Sequence, residues 1–217
     1  MCKSHTKKSL RIFFRSYYTF KISKAHTLYF YFLLKAMNLN QQIILITGPA
    51  RSGKSEWAEF LAKKMNQPVT YVATAQRNAD DLEWQARINQ HQSRRPDDWN
   101  TVEVPFNLVS LIVAAPSDCL LIDSLGTWVA NYLEQDEPSW QTIQDDLLLS
   151  LQQISSTVIF VAEETGWGVV PSYPSGRLFR DRLGTLTRKI SIIAHCVYLV
   201  TGGYVLNLSE LGQPLPI

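Results

Sequence analysis

From residue 43 onward, apolar runs of four to six residues alternate with segments whose apolar positions recur every three or four. A short apolar run between turn residues reads as a strand buried on both faces, and a 3.6-residue period reads as a helix. Strands are predicted at Ile43–Ile46, Val69–Thr74, Thr101–Val104, Cys119–Asp123, Thr157–Val161 and Cys196–Val200. Helices are predicted at Glu56–Lys64, Asp80–His91, Leu108–Ala115, Leu125–Leu133, Trp140–Ile154 and Arg177–Ala194. In the first of these, Trp57, Phe60, Leu61 and Lys64 share the helical spacing. The alternation predicts an α/β fold with a mostly parallel sheet and helices on both faces.

Between the first strand and the first helix stands Gly48-Pro49-Ala50-Arg51-Ser52-Gly53-Lys54-Ser55. It fits G-x-x-x-x-G-K-[ST], the phosphate-binding loop, in the strand–loop–helix context that motif requires. Its glycines let backbone N–H groups turn towards a phosphate, and the helix start adds partial positive charge. Lys54 is placed to reach the terminal phosphates, and the Ser55 hydroxyl to bind Mg²⁺. Asp123 ends a strongly apolar strand, where such enzymes keep a carboxylate for the metal. The N-cap of the helix that follows is the other reading, and the P-loop upstream favours the metal.

Composition changes the picture at one end. The chain has 217 residues, 46% apolar and 18% charged, which suits one globular domain. Residues 1–36 hold eight Lys/Arg and no acid; the other 13 Lys/Arg face all 19 Asp/Glu, so residues 37–217 carry −6. That acidic body argues against a nucleic-acid-binding protein. Cys2, Cys119 and Cys196 are odd in number and far apart, so they suggest neither a disulfide framework nor a zinc site and fit a reducing cytoplasm. The basic, aromatic segment 1–36 ends in the run Leu28–Leu34, far short of the ~20 residues a bilayer needs. Two readings of it stand: an over-extended gene start, with Met37 as the natural first residue, or a natural tail that is disordered or touches a membrane surface. Residues 37–217 are expected to form the catalytic domain.

Two further segments carry candidate chemistry. Arg87 to Trp99 sets His91 among Arg87, Arg94 and Arg95. Arginine forks bind phosphate, and a histidine among cations is held neutral and nucleophilic. Such a residue is able to attack a nucleotide α-phosphate; it equally fits a solvated helix end. Glu163 to Pro171 follows a strand directly, at the edge where ligands bind. Glu164 there suits action on a substrate hydroxyl or a metal-bound water, or a plain solvated turn. Arg177 and Arg180 open the next helix and suit either phosphates or Asp181. His5 and His26 lie in the tail, and His195 adjoins a core strand.

Together these segments resemble the bifunctional adenosylcobinamide kinase/adenosylcobinamide-phosphate guanylyltransferase family of cobalamin biosynthesis. The loop matches G-G-A-R-S-G-K-S except at Pro49. The block R-I-x-x-H-x-x-x-R-P-x-x-W-x-T-x-E is met by Arg87, Ile88, His91, Arg95, Pro96, Trp99, Thr101 and Glu103. Ala73-Thr74-Ala75, Asp123 to Asn131 and Glu164 to Pro171 match three further motifs. The likeness spans residues 43 to about 203. Departures are Pro49, Thr187 for a usual Asn, His195-Cys196 before the last strand, and Thr201-Gly202-Gly203 near the end.

The resemblance implies a P-loop NTPase of RecA-like fold, usually a trimer, acting on a corrinoid. It implies phosphorylation of adenosylcobinamide by ATP or GTP, then transfer of GMP from GTP through a covalent histidine. His91 matches that histidine. The family's GTP contacts fall on Gly48 to Ser55, Ala73, Thr74, Ala75, Gln92, Ser93, Arg94, Arg95, Glu103 and Asp123. A single-function P-loop kinase and a non-catalytic nucleotide switch are the alternatives.

Overall fold

The computed structural model describes residues 42–76, 80, 81, 85, 86, 92, 94–114, 119–154 and 156–216. His91, Ser93, Arg87, residues 1–36 and most of the helix expected over 80–91 lie outside them. The described elements are β1 (Ile43–Gly48), α1 (Lys54–Lys64), β2 (Val69–Ala73), β3 (Asn100–Glu103), α2 (Leu108–Ala114), β4 (Cys119–Asp123), α3 (Leu125–Ala130), α4 (Glu137–Leu151), β5 (Thr157–Glu163), α5 (Pro174–Ile193), β6 (Cys196–Thr201), β7 (Tyr204–Asn207) and α6 (Leu208–Leu211).

Seven strands form one sheet in the order β3-β2-β4-β5-β1-β6-β7. All pairings are parallel except β6 with β7. Alternate residues of β1 enter opposite cores: Ile43 and Leu45 pack with α2, α3, α4 and α5, while Ile44 and Ile46 pack with α1. Burial on both faces explains why these strands read as unbroken apolar runs.

The expected alternation of strands and helices is borne out, with corrections in detail. The buried face of α1 is Lys54, Ala58, Glu59 and Ala62, whereas Phe60 is 43% exposed. Small residues let α1 lie close on the sheet, and Phe60 stacks instead on Trp57, 5.0 Å between ring centroids, beneath the Lys64 ammonium. Helix α4 starts at Glu137, three residues before the expected Trp140, because Asp136 caps it by accepting from Ser139 N at 2.9 Å. Helix α5 starts at Pro174, a residue suited to a first turn, rather than at Arg177. Helix α3 stops at Ala130, before the expected Leu133. Asn131 there turns its side-chain amide away to Thr74 O and Pro105 O, each at 2.8 Å. The β6–β7 hairpin was not anticipated. Gly202 and Gly203 turn it with φ of 58° and 80°, the left-handed values a two-residue hairpin loop needs.

Candidate active site

β1 delivers Gly48 to the C-terminal edge of the sheet between β5 and β6, and a Cβ there would overlap the Val200 carbonyl oxygen. The loop then turns through left-handed conformations at Arg51 and Gly53, with φ of 57° and 96°. Left-handed turns of this kind are the backbone device by which an anion cradle is built. Lys54 opens α1, is buried, and donates from Nζ to Pro49 O at 2.9 Å. Pro49 removes a donor from the loop but keeps the carbonyl that holds the lysine. Among the described residues, nothing bonds the buried hydroxyls Thr47 Oγ1 and Ser52 Oγ. Orphaned hydroxyls in and beside this loop fit a phosphate ligand.

Three strands carry the neighbouring groups. Ala73 pairs with Glu103 on β3 and with Asp123 on β4, so these three end in a row at the same edge. Asp123 Oδ2 accepts from Tyr71 Oη at 2.7 Å. Burial and the Asp123 charge push the Tyr71 hydroxyl far above its usual pKa, which keeps it a donor. The cap of α3 is Ser124, paired with Thr127 in a capping box, so Asp123 does not serve as that cap. Thr74 is fully buried, and its hydroxyl binds Ser124 O at 2.7 Å and Ser124 N at 2.9 Å. It thereby fixes the junction that follows Asp123; Ala75 is half-buried beside it.

Arg94 and Arg95 sit against this edge. Arg94 reaches Glu56 at 3.0 Å and Glu59 at 3.6 Å, both on α1. Arg95 lies over the Tyr71 ring, 3.4 Å from its centroid, and donates to Thr101 Oγ1 at 3.4 Å. Gln92 is exposed. Burial pushes the Glu59 carboxyl above the ordinary range, against the pull of Arg94.

Glu163, at the end of β5, pairs in register with Gly48. Its carboxylate accepts from Ser124 Oγ at 2.6 Å and from Gly126 N at 2.9 Å. Burial raises its pKa, and the Ser124 bond works against that. A Cβ on Gly126 would overlap Glu163 Oε2. Glu164 accepts from Gly166 N at 2.8 Å, shaping its own loop. Among the described residues, Arg177 and Arg180 bond no carboxylate but the carbonyls of residues 166, 168, 171 and 172. His195 Nδ1 accepts from Ile43 N at 3.0 Å, a tie within the sheet.

Sequence reasoning thus named Lys54, Asp123, Arg94 and Arg95 and placed Glu163 at the ligand edge, but missed Tyr71 and the contacts that Glu163 makes with Ser124 and Gly126. Their contacts bridge strands, and only a tyrosine in an otherwise apolar strand hinted at the first. Among the described residues, no group of three or more His, Cys, Asp or Glu is placed to hold a metal. Mg²⁺ at a P-loop asks less of the protein: one or two hard oxygens, the rest coming from phosphates and water. Ser55 and Asp123 supply such donors and fit that ion.

A family model described as cobinamide kinase / cobinamide phosphate guanyltransferase matches residues 44–208. The bifunctional adenosylcobalamin biosynthesis protein CobP of Pseudomonas aeruginosa is 38% identical over 174 residues, covering 79% of this chain and 98% of the relative. CobU of Salmonella typhimurium, described as bifunctional in the same words, is 37% identical over 177 residues, covering 74% and 96%. A solved structure from Pyrococcus horikoshii OT3 shares the fold with a TM-score of 0.50 at 7% identity, covering 85% of this chain and 98% of that one.

Proposed function

As this chain belongs to the cobinamide kinase / cobinamide phosphate guanyltransferase family, we propose that it catalyses both reactions at the edge built by β1, β4 and β2. In the first, a hydroxyl of adenosylcobinamide attacks the γ-phosphorus of ATP or GTP. A new O–P bond forms, the bridge to the β-phosphate breaks, and the hydroxyl proton is released. In the second, a His91 nitrogen attacks the α-phosphorus of GTP and pyrophosphate leaves. A phosphate oxygen of adenosylcobinamide phosphate then takes the GMP, giving adenosylcobinamide-GDP and restoring His91.

Each residue's part follows from chemistry already described. The loop amides of residues 48 and 50–55 cradle the phosphates, and Lys54 exchanges the Pro49 carbonyl for a terminal phosphate oxygen. Ser55 and Asp123 would hold Mg²⁺, which would offset charge building on the phosphate oxygens. Tyr71 orients Asp123. Arg94 and Arg95 fix the segment that leads to His91, and Gln92, Ser93, Glu103 and Ala73 to Ala75 border the GTP. The protein works as a homo-oligomer, a trimer by its family, in the cytoplasm. No described helix is long and apolar enough to cross a membrane.

The observation that carries this reading is the docking of Arg94 on Glu56 and Glu59 of the P-loop helix, only three residues after His91. It supports one shared nucleotide edge for both steps. The test follows the corrinoid by mass after incubation with nucleotide and Mg²⁺. A phosphate increment followed by a GDP-sized product is expected. A phosphate increment alone, with GTP in excess, leaves a kinase only; nucleotide binding without any corrinoid product leaves a switch.

A further inference from the structure

The loop between β5 and α5 exposes Trp167, Val169, Val170 and Tyr173, with Val169 95% and Trp167 61% accessible. Clustered exposed apolar side chains mark binding surfaces. Here the backbone beneath them is built, not slack. Arg180 donates to Gly166 O at 2.6 Å and Gly168 O at 3.4 Å. Arg177 donates to Pro171 O at 3.0 Å and Ser172 O at 2.7 Å. Glu164 accepts from Gly166 N. The charged groups at the base are thus engaged with the loop's own polar atoms, and an uncharged apolar face is left outward.

The loop that carries that face starts at the phosphate edge. Glu163 pairs with Gly48, and Glu164 N donates to Gly48 O at 2.8 Å, so the loop departs from the first residue of the P-loop. Resting on the function proposed above, we infer that residues 165–173 are the platform for the corrinoid ring. The two kinds of reactant differ sharply in chemistry. The nucleotide is a polyanion and goes to amides and cations. The acceptor is a broad ring rimmed by methyl groups and carboxamides, with its reacting hydroxyl on a side arm. For that arm to meet the terminal phosphate, the ring must lie beside the P-loop, and a neutral, aromatic-bearing surface starting at Gly48 suits it. Trp167 and Tyr173 offer flat faces, and Val169 and Val170 meet the methyl rim.

The test uses the full chain with Trp167→Ala and Val169→Asp, neither of which touches the nucleotide machinery. Cobinamide binding is read by equilibrium dialysis and by KM, guanylylation of the protein by GTP alone through intact mass, and oligomeric state by sedimentation. Each variant is expected to weaken corrinoid affinity about tenfold or more. Guanylylation by GTP, which needs no corrinoid, and oligomeric state stay as in the wild type. Unchanged corrinoid affinity with normal guanylylation overturns the platform. A change in oligomeric state also overturns it and makes the face an interface between copies. Absence of guanylylation and of corrinoid turnover in the wild type instead fails the underlying function.

Discussion

Glu163 and Gly126 are fitted to one another: the carboxylate occupies the space a Cβ would fill. Gly126→Ala is therefore expected to cost about 1–3 kcal/mol in urea unfolding, as overpacking does. In a Glu163→Ala background that cost should largely vanish, and a double-mutant cycle measures the coupling. Glu59 gives a pH prediction. Its folded pKa lies above the ordinary 4.5, so its proton is bound more tightly in the folded chain. Its contribution to stability is full below about 4.5 and is lost as pH rises through the folded value. Glu59→Gln should thus gain stability relative to the wild type between pH 4.5 and 7, with no relative gain at lower pH. A parallel pair of unfolding profiles checks this. At this scale the motif residues were legible, because a P-loop fixes roles by spacing. Tyr71 and the contacts of Glu163 were not, because the partners lie 52 and 39 positions away.

Helix ends and hairpins depend on local chemistry that apolar periodicity does not register. Asp136, Pro174 and Asn131 set boundaries that the period alone displaced by about a turn. Gly202-Gly203 carried a hairpin signal, but β7 beyond it is short, with half its residues exposed, so no apolar run announced it. The α3–α4 link illustrates what holds elements together. Arg182, on α5, is buried and donates to Tyr132 O at 2.9 Å and Gln135 O at 2.8 Å, with its guanidinium carbon 5.2 Å from the Trp140 ring centroid. Arg182→Leu leaves two carbonyls without their donor, and about 2–3 kcal/mol of lost stability is expected by denaturant titration. A smaller loss would mean that water replaces the guanidinium.

For the whole molecule, strand-and-helix alternation made the sheet legible but not its order. Placement of β1 between β5 and β6 comes from crossovers that pair residues more than a hundred positions apart, and no local pattern encodes them. That order brings Gly48, Glu163 and Asp123 to one edge. A chain begun at Met37 retains every element of that arrangement. We expect it to unfold at the same temperature as the full chain and to turn over corrinoid equally; a drop in either would give residues 1–36 a part in the fold or the reaction. The proposed second reaction turns on a single covalent bond, from a His91 nitrogen to the α-phosphorus of GTP. Intact-mass spectrometry after incubation with GTP and Mg²⁺ should show a GMP-sized increment on the wild type and none on His91→Ala. An increment that persists in the variant, or a wild type that binds GTP and gains no mass, would contradict it.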